Sequence, residues 1–180
     1  DINIKATRFG FHTLRVSVIN SDGELYGETV TRISTVAPSG KINPKMAICD
    51  HFTKNQGFSK EKALMIKKAG VGSIRDEIRW TDFEFNGIME PLIYTKGWIN
   101  LMGETEQNML AILGFYHPDV IDEQFPHSTD TMAEFTDYIR AVLEYTKDMD
   151  INYELWNEYN LNNERYGTSY EDYVKMAKVV

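Results

Sequence analysis

The sequence has one cysteine, Cys49, and that scarcity excludes an internal disulfide framework and a zinc cluster built on thiolates. It has no basic block: Lys and Arg number 19 against 27 Asp and Glu, a formal net charge of -8. Nucleic acid and anionic membranes both call for clustered positive charge, so neither partner is expected. Long apolar runs are missing too, so no segment is expected to cross a bilayer as a helix. The sequence starts at Asp1, without the basic and apolar regions of a signal peptide. Neither G-x-G-x-x-G nor G-x-x-x-x-G-K-S/T follows any expected strand, which argues against a nucleotide-binding domain. What is present is a globular composition: apolar residues at 42% and aromatics at 12% are too many for a disordered chain. A length of 180 residues fits one domain, or one and a fraction.

Two rhythms divide the chain, with residues 1–40 read as a β-hairpin, the end of a β-sandwich-like domain, and a linker. His12 to Ile19 alternates apolar and polar residues, Ser21-Asp22-Gly23 is a tight-turn signal, and Glu24 to Val36 is rich in Thr, Val and Ile. Ala37 to Gly40 has linker composition. From residue 41 onward strands and helices alternate. Lys45–Cys49, Val71–Ile74, Asn108–Phe115 and Ile151–Trp156 read as strands. Helices are expected from Ser59 to a stop at Gly70, from Trp98 to Gln107, from Thr131 with Glu134 as a capping box, and after Thr168 with Glu171. The third helix carries the stripe Phe135, Tyr138, Ile139, Val142, Leu143 and Thr146, and the last carries Tyr170, Tyr173, Val174 and Ala177.

These are four βα units of about 34 residues each. A (β/α)8 TIM barrel uses about 31 per unit, so the spacing fits the first half of such a barrel. A four-stranded doubly wound sheet fits the same spacing. In either architecture the working residues collect at the carboxyl ends of the strands. Four segments qualify: Cys49-Asp50-His51-Phe52, Arg75-Asp76-Glu77, Tyr116-His117-Pro118 and Trp156 to Asn160. Strand ends also become polar simply because they meet water. The fourth segment says most. A carboxyl such as Glu158, partly shielded from water beside an indole and an amide, is favoured in its protonated form and suits a general acid. Asn157 suits a substrate hydroxyl, and aromatic faces such as that of Trp156 suit the C–H faces of a sugar ring.

Tyr153 to Asn160 (YELWNEYN) resembles the strand-four signature of clan A glycoside hydrolases, W-N-E-P-N. Ala69 to Glu84 (AGVGSIRDEIRWTDFE) is similar to that clan's strand-two segment, G-V-x-x-V-R followed by W-x-x-x-E. NMLAILGFYHP and KMAICDHF resemble its strand-three and strand-one segments, and the nearest likeness is to family 39 and family 5-like retaining β-glycosidases. The resemblance implies Glu158 as the acid/base, Asn157 bonding the sugar 2-hydroxyl, and Arg75 orienting the nucleophile. It implies substrate contacts for His117 and His51, a structural role for Trp80 and Glu84, a carbohydrate substrate, no cofactor or metal, and an extracellular or periplasmic setting. Tyr159 departs from the clan, which has Pro there. The clan's nucleophile is a Glu on strand seven, which these residues do not reach. The sequence is therefore expected to be a fragment, inactive alone and completed by the remainder of the barrel.

Simpler readings stand beside these. Glu158 alone would be a loop acid, Arg75 would pair with Asp76, Glu77 or another nearby acid, Trp98 and Trp156 would be core aromatics, and Cys49 would be a small buried residue. Two other functions also remain open. One is a non-catalytic carbohydrate-binding protein on the same fold. The other is a metal-dependent hydrolase using Asp50, His51, His117 and Glu158, although no H-x-H or H-E-x-x-H pair is present.

Overall fold

A computed structural model of the protein describes residues 8–52, 60–119, 125–161 and 167–180. The chain divides into two compact units, Asp1–Ser39 and Gly40–Val180. In the first, β1 (Gly10–Ile19) pairs antiparallel with β2 (Leu25–Thr35). Asn20 makes the turn. Its Oδ1 accepts the backbone N–H groups of Asp22 (3.0 Å) and Glu24 (2.8 Å), and Gly23 takes the left-handed φ of 83° that the tight reversal needs. Apolar side chains stand exposed on this hairpin, Phe11 at 92% and Val18 at 56%. The described residues of this unit hold these two strands and no sandwich.

The second unit is a four-stranded parallel sheet of β3 (Asn43–Cys49), β4 (Val71–Arg79), β7 (Asn108–Gly114) and β8 (Ile151–Leu155), adjacent in that order. The order follows the chain and never reverses, which departs from the doubly wound arrangement and its switch point. Helices α1 (Lys60–Lys68), α2 (Ile93–Thr105), α3 (Thr129–Tyr145) and α4 (Tyr170–Val179) connect or follow the strands. Alternation along the strands makes the core. Ile74 and Ile78 of β4 and Met109, Ala111 and Leu113 of β7 are buried with Ala63 of α1, Trp98 and Ile99 of α2, and Phe135, Tyr138 and Val142 of α3. Trp80 lies flat on Tyr138, ring centroids 5.7 Å apart. β3 and β8 are the open edges, and every residue of β3 is exposed.

Several expectations need correction. β4 does not end at Ile74 but continues to Arg79, paired residue by residue with β7 from Ser73–Asn108 to Arg79–Gly114. Its charged run looks like a strand end, yet each charge has a partner within the fold. α2 begins at Ile93 rather than Trp98. α3 is capped by Ser128, whose Oγ accepts the Thr131 N–H at 3.2 Å, and not by Thr131 with Glu134. α4 is capped one residue later than expected, by a reciprocal box of Ser169 and Asp172. Its expected stripe is largely outward: Tyr170 is 58% and Val174 48% exposed, while Met176 is the buried residue. Asn86-Gly87, with φ of 52° and 74°, makes a small hairpin of β5 (Glu84–Phe85) and β6 (Ile88–Met89) that the sequence reading passed over. Cys49 is exposed on the edge strand, not buried. The Ser59 end of the first expected helix lies outside the described residues.

Candidate active site at the carboxyl ends of the parallel strands

β8 ends at Leu155, and the next three residues form an unusual tip. Trp156 and Glu158 both hold left-handed backbone, with φ of 63° and 49°, on either side of Asn157. Neither is a residue that prefers this region, and such conformations cost about 1–3 kcal/mol each unless the surroundings hold them. The anchors are visible. The Trp156 N–H donates to the Leu113 carbonyl at 2.7 Å. Its ring is 3% exposed and packs edge-on against Phe125 (4.8 Å) and Phe135 (5.9 Å). Gly114 lies beneath it, where an added Cβ would come within 2.9 Å of the indole. Trp156 therefore braces the tip from inside the core, with almost none of its face available as a sugar platform.

Tyr159, the departure from the clan's Pro, has its own structural reason. Its ring packs between Phe125 (4.7 Å) and Tyr173 (5.0 Å). Its hydroxyl bonds Thr168 Oγ1 at 2.8 Å and donates a short bond to the Ser169 carbonyl at the cap of α4. Glu158 stands exposed between these anchored neighbours. The shielding expected for its carboxyl is thus not supplied by the described residues. Glu154, Glu158 and Asn160 line an open cleft of about 340 Å³ together with Tyr170 and Tyr173.

Arg75 reaches this tip from β4, across β7. Its guanidinium grips Glu154 of β8 with two bonds, Nε to Oε2 at 2.8 Å and Nη2 to Oε1 at 2.7 Å. Nη2 also donates to Asn157 Oδ1 at 2.9 Å, and Nη1 lies 3.5 Å from Cys49 Sγ. The Glu154 bond raises the proton affinity of the guanidinium. With Oδ1 engaged, the Asn157 amide group points its N–H donors away from Arg75. The nearby acid that Arg75 selects is Glu154, and not its sequence neighbours Asp76 and Glu77. Those two are engaged otherwise. Glu77 accepts two bonds from Arg79, at 2.6 and 2.7 Å, and lies 3.7 Å from His51 Nδ1. His51 itself is half exposed, its side chain at 53%.

Asp76 is fully buried. Its oxygens accept the backbone N–H groups of Glu77 (2.7 Å) and Phe52 (2.8 Å), tying the ends of β3 and β4 together. Burial pushes its carboxyl up to about 7, with the charges of Glu77 and Asp50 adding to the rise and the two N–H bonds opposing it. Asp50 is paired with Lys62 of α1 at 2.6 Å.

His117 is 5% exposed, and both ring nitrogens meet backbone. Nδ1 accepts the Asp119 N–H at 3.3 Å, so Nε2 carries the proton and donates to the Glu84 carbonyl at 3.1 Å. The Glu84 side chain takes the Trp80 indole N–H at 2.7 Å. Trp80 and Glu84 thus form a buried brace. The structure brings Arg75, Asn157 and Glu154 into one network, of which Glu154 also lines the cleft that Glu158 lines, and places His51 and His117 in two other clusters. Among the described residues no group of three or more His, Cys, Asp or Glu is placed to hold a metal ion, so Asp50, His51, His117 and Glu158 are not gathered as ligands. No described helix is long and apolar enough to cross a membrane. Glu154 was missed by the sequence reading. The signal available was its place three residues before Asn157, on the strand leading to the tip.

These features define an α/β protein whose polar network sits at the carboxyl ends of a sequentially ordered parallel sheet. One solved structure with this fold is a family 39 glycoside hydrolase from the gut symbiont Bacteroides cellulosilyticus WH2, which superposes with a TM-score of 0.71 at 19% identity. The match covers 97% of this chain and 36% of that one, so the chain spans about a third of its neighbour's length. At that identity the likeness is one of fold. No family model matches the chain, and no curated protein matches it.

Proposed function

We propose that these residues form the acid/base half of a retaining β-glycosidase barrel, preceded by strands of a β-sandwich domain. Glu158 protonates the departing glycosidic oxygen and then deprotonates the incoming water, and a nucleophilic carboxylate comes from a strand beyond residue 180. The observation that carries the reading is the tip of β8. Asn157 is held by Arg75, and Glu158 follows it on left-handed backbone, exposed at the mouth of a cleft. A general acid has to reach substrate while its neighbours hold still, and this arrangement does both. The fold shared with a family 39 glycoside hydrolase supports the same reading. Asn157 then offers its free N–H groups to a sugar hydroxyl. Arg75 orients substrate and nucleophile, and His51, half exposed near Glu77, contacts substrate from β3. A substrate contact by His117 requires one of its two backbone bonds to give way.

The test is Glu158→Gln in the full-length gene product. Acid assistance matters for poor leaving groups and little for activated ones. Turnover of an alkyl or oligosaccharide β-glycoside is expected to fall about 10²–10⁴-fold, while cleavage of a dinitrophenyl glycoside in the first half-reaction stays within a few-fold. An equal loss on both substrates rejects the assignment. Residues 1–180 alone are expected to turn over no aryl β-glycoside.

A further inference from the structure

Arg75 is the only link described between β4 and Asn157, and its grip is set by a residue with no role so far. We infer that Glu154 is a positioning residue for the reactive tip: it locks the guanidinium of Arg75, and Arg75 in turn fixes Asn157 and the turn that presents Glu158. This rests on the function proposed above and deepens it.

Four observations carry the inference. The Arg75–Glu154 pair is a planar two-bond fork at 2.8 and 2.7 Å, the arrangement that leaves a guanidinium least rotational freedom. Register shows that the pair is not formed by simple adjacency. Arg75 is level with Leu110 of β7 and Leu110 with Asn152 of β8, so the guanidinium leans two residues along the sheet to meet Glu154. That lean brings the same Nη2 to Asn157 at 2.9 Å. Finally, Asn157 sits between two residues of left-handed backbone, where a side-chain tether has most effect on the direction of the following residue. Without Glu154, Arg75 has no fork to hold it in this lean, and Asn157 Oδ1 loses a fixed donor. Glu154 makes no contact with reacting atoms in this scheme. Its carboxylate also offsets the charge of Arg75 and lines the cleft that Glu158 lines.

The experiment compares Glu154→Gln, Asn157→Ala, the double variant and Glu158→Gln in the full-length gene product, each on a poor and an activated leaving group. Glu154→Gln keeps the size and removes one side of the fork. It is expected to lower kcat for the poor leaving group about 10–100-fold while changing KM little, the cost of misplacing a reacting group by about an ångström. On the dinitrophenyl glycoside its loss in the first half-reaction is expected to stay within about three-fold. In the Asn157→Ala background the same change is expected to cost less than about two-fold, because the two residues act in series. Full additivity of the two losses, or equal losses on both leaving groups, overturns the inference. If Glu158→Gln shows no leaving-group dependence, the active-site reading itself falls. If only Glu154→Gln behaves like the unaltered protein, the positioning role alone falls. Should Glu154→Gln fail to fold, Glu154→Asp keeps the charge but is one methylene too short to hold the fork, and is expected to give the same kinetic pattern. Failure of both variants to fold makes the pair a folding element and overturns the inference.

Discussion

Asp76 offers a prediction whose sign reverses with pH. Its carboxyl is fully buried and held up to about 7, chiefly by burial. In the unfolded chain the same group titrates near 3.9, about the ordinary value. Between those two values the native state holds a proton that the unfolded state has lost. Asp76 therefore contributes most to stability below about pH 4, and that contribution drains away as pH rises through about 7. Over this window the loss amounts to about 4 kcal/mol. Asp76→Asn abolishes the ionisation. It also turns one of two acceptors into a donor that faces the N–H of Phe52 or of Glu77, both now bonded to carboxylate oxygens at 2.8 and 2.7 Å. An orphaned buried N–H costs about 1–3 kcal/mol. The variant is thus expected to be less stable than the parent by up to about 2 kcal/mol near pH 4.5, where about 1 kcal/mol of the Asp76 contribution has already drained away, and more stable by about 1–3 kcal/mol near pH 8, since relief of the ionisation cost then exceeds the lost bond. Urea unfolding of both proteins at the two pH values measures this directly. A stability difference of the same sign at both pH values refutes the reasoning.

Three other substitutions probe the frame of the site. Gly114→Ala brings a methyl within 2.9 Å of the Trp156 ring; overpacking of this kind costs about 1–3 kcal/mol, read as a drop in Tm of about 3–10 °C with altered tryptophan fluorescence. Trp80→Phe leaves the buried Glu84 carboxylate without the indole N–H it accepts at 2.7 Å, and a destabilisation of about 2–4 kcal/mol in urea unfolding is expected. Tyr138→Phe removes the hydroxyl that donates to the Ile78 carbonyl in the centre of the core; a loss of about 1–2 kcal/mol is expected, against no change if that hydroxyl contributes nothing.

The four parallel strands were legible because their apolar cores, such as NMLAILG, carry the pattern of strands covered by helices. The Phe135–Thr146 stripe of α3 was legible for the same reason, with Leu143 as its one exposed member. What misled was charge. Arg75, Asp76 and Glu77 look like the water-facing end of a strand, yet β4 runs on to Arg79 because Glu77 pairs with Arg79 on the same strand, Asp76 with backbone N–H groups, and Arg75 with Glu154, far along the chain. Pairing of that kind leaves no local trace, so Glu154 was not identified. Trp156 and His117 suited sugar contact by residue type, but whether a ring faces solvent or core depends on elements far along the chain. Trp156 meets Phe125 and Phe135, and His117 meets Glu84. The helix starts at Ser128 and Ser169 were missed by one to three residues because Ser and Thr alternate there, and cap geometry alone chooses between them.

The central claim is that Glu158 acts first as acid and then as base. Replacing it with Ala in the full-length gene product removes the base needed to activate water against a glycosyl-enzyme intermediate, while azide needs no such activation. With a dinitrophenyl β-glycoside, added azide is therefore expected to restore turnover of Glu158→Ala and to yield a β-glycosyl azide. Turnover unmoved by azide, or an azide product of inverted configuration, contradicts the claim.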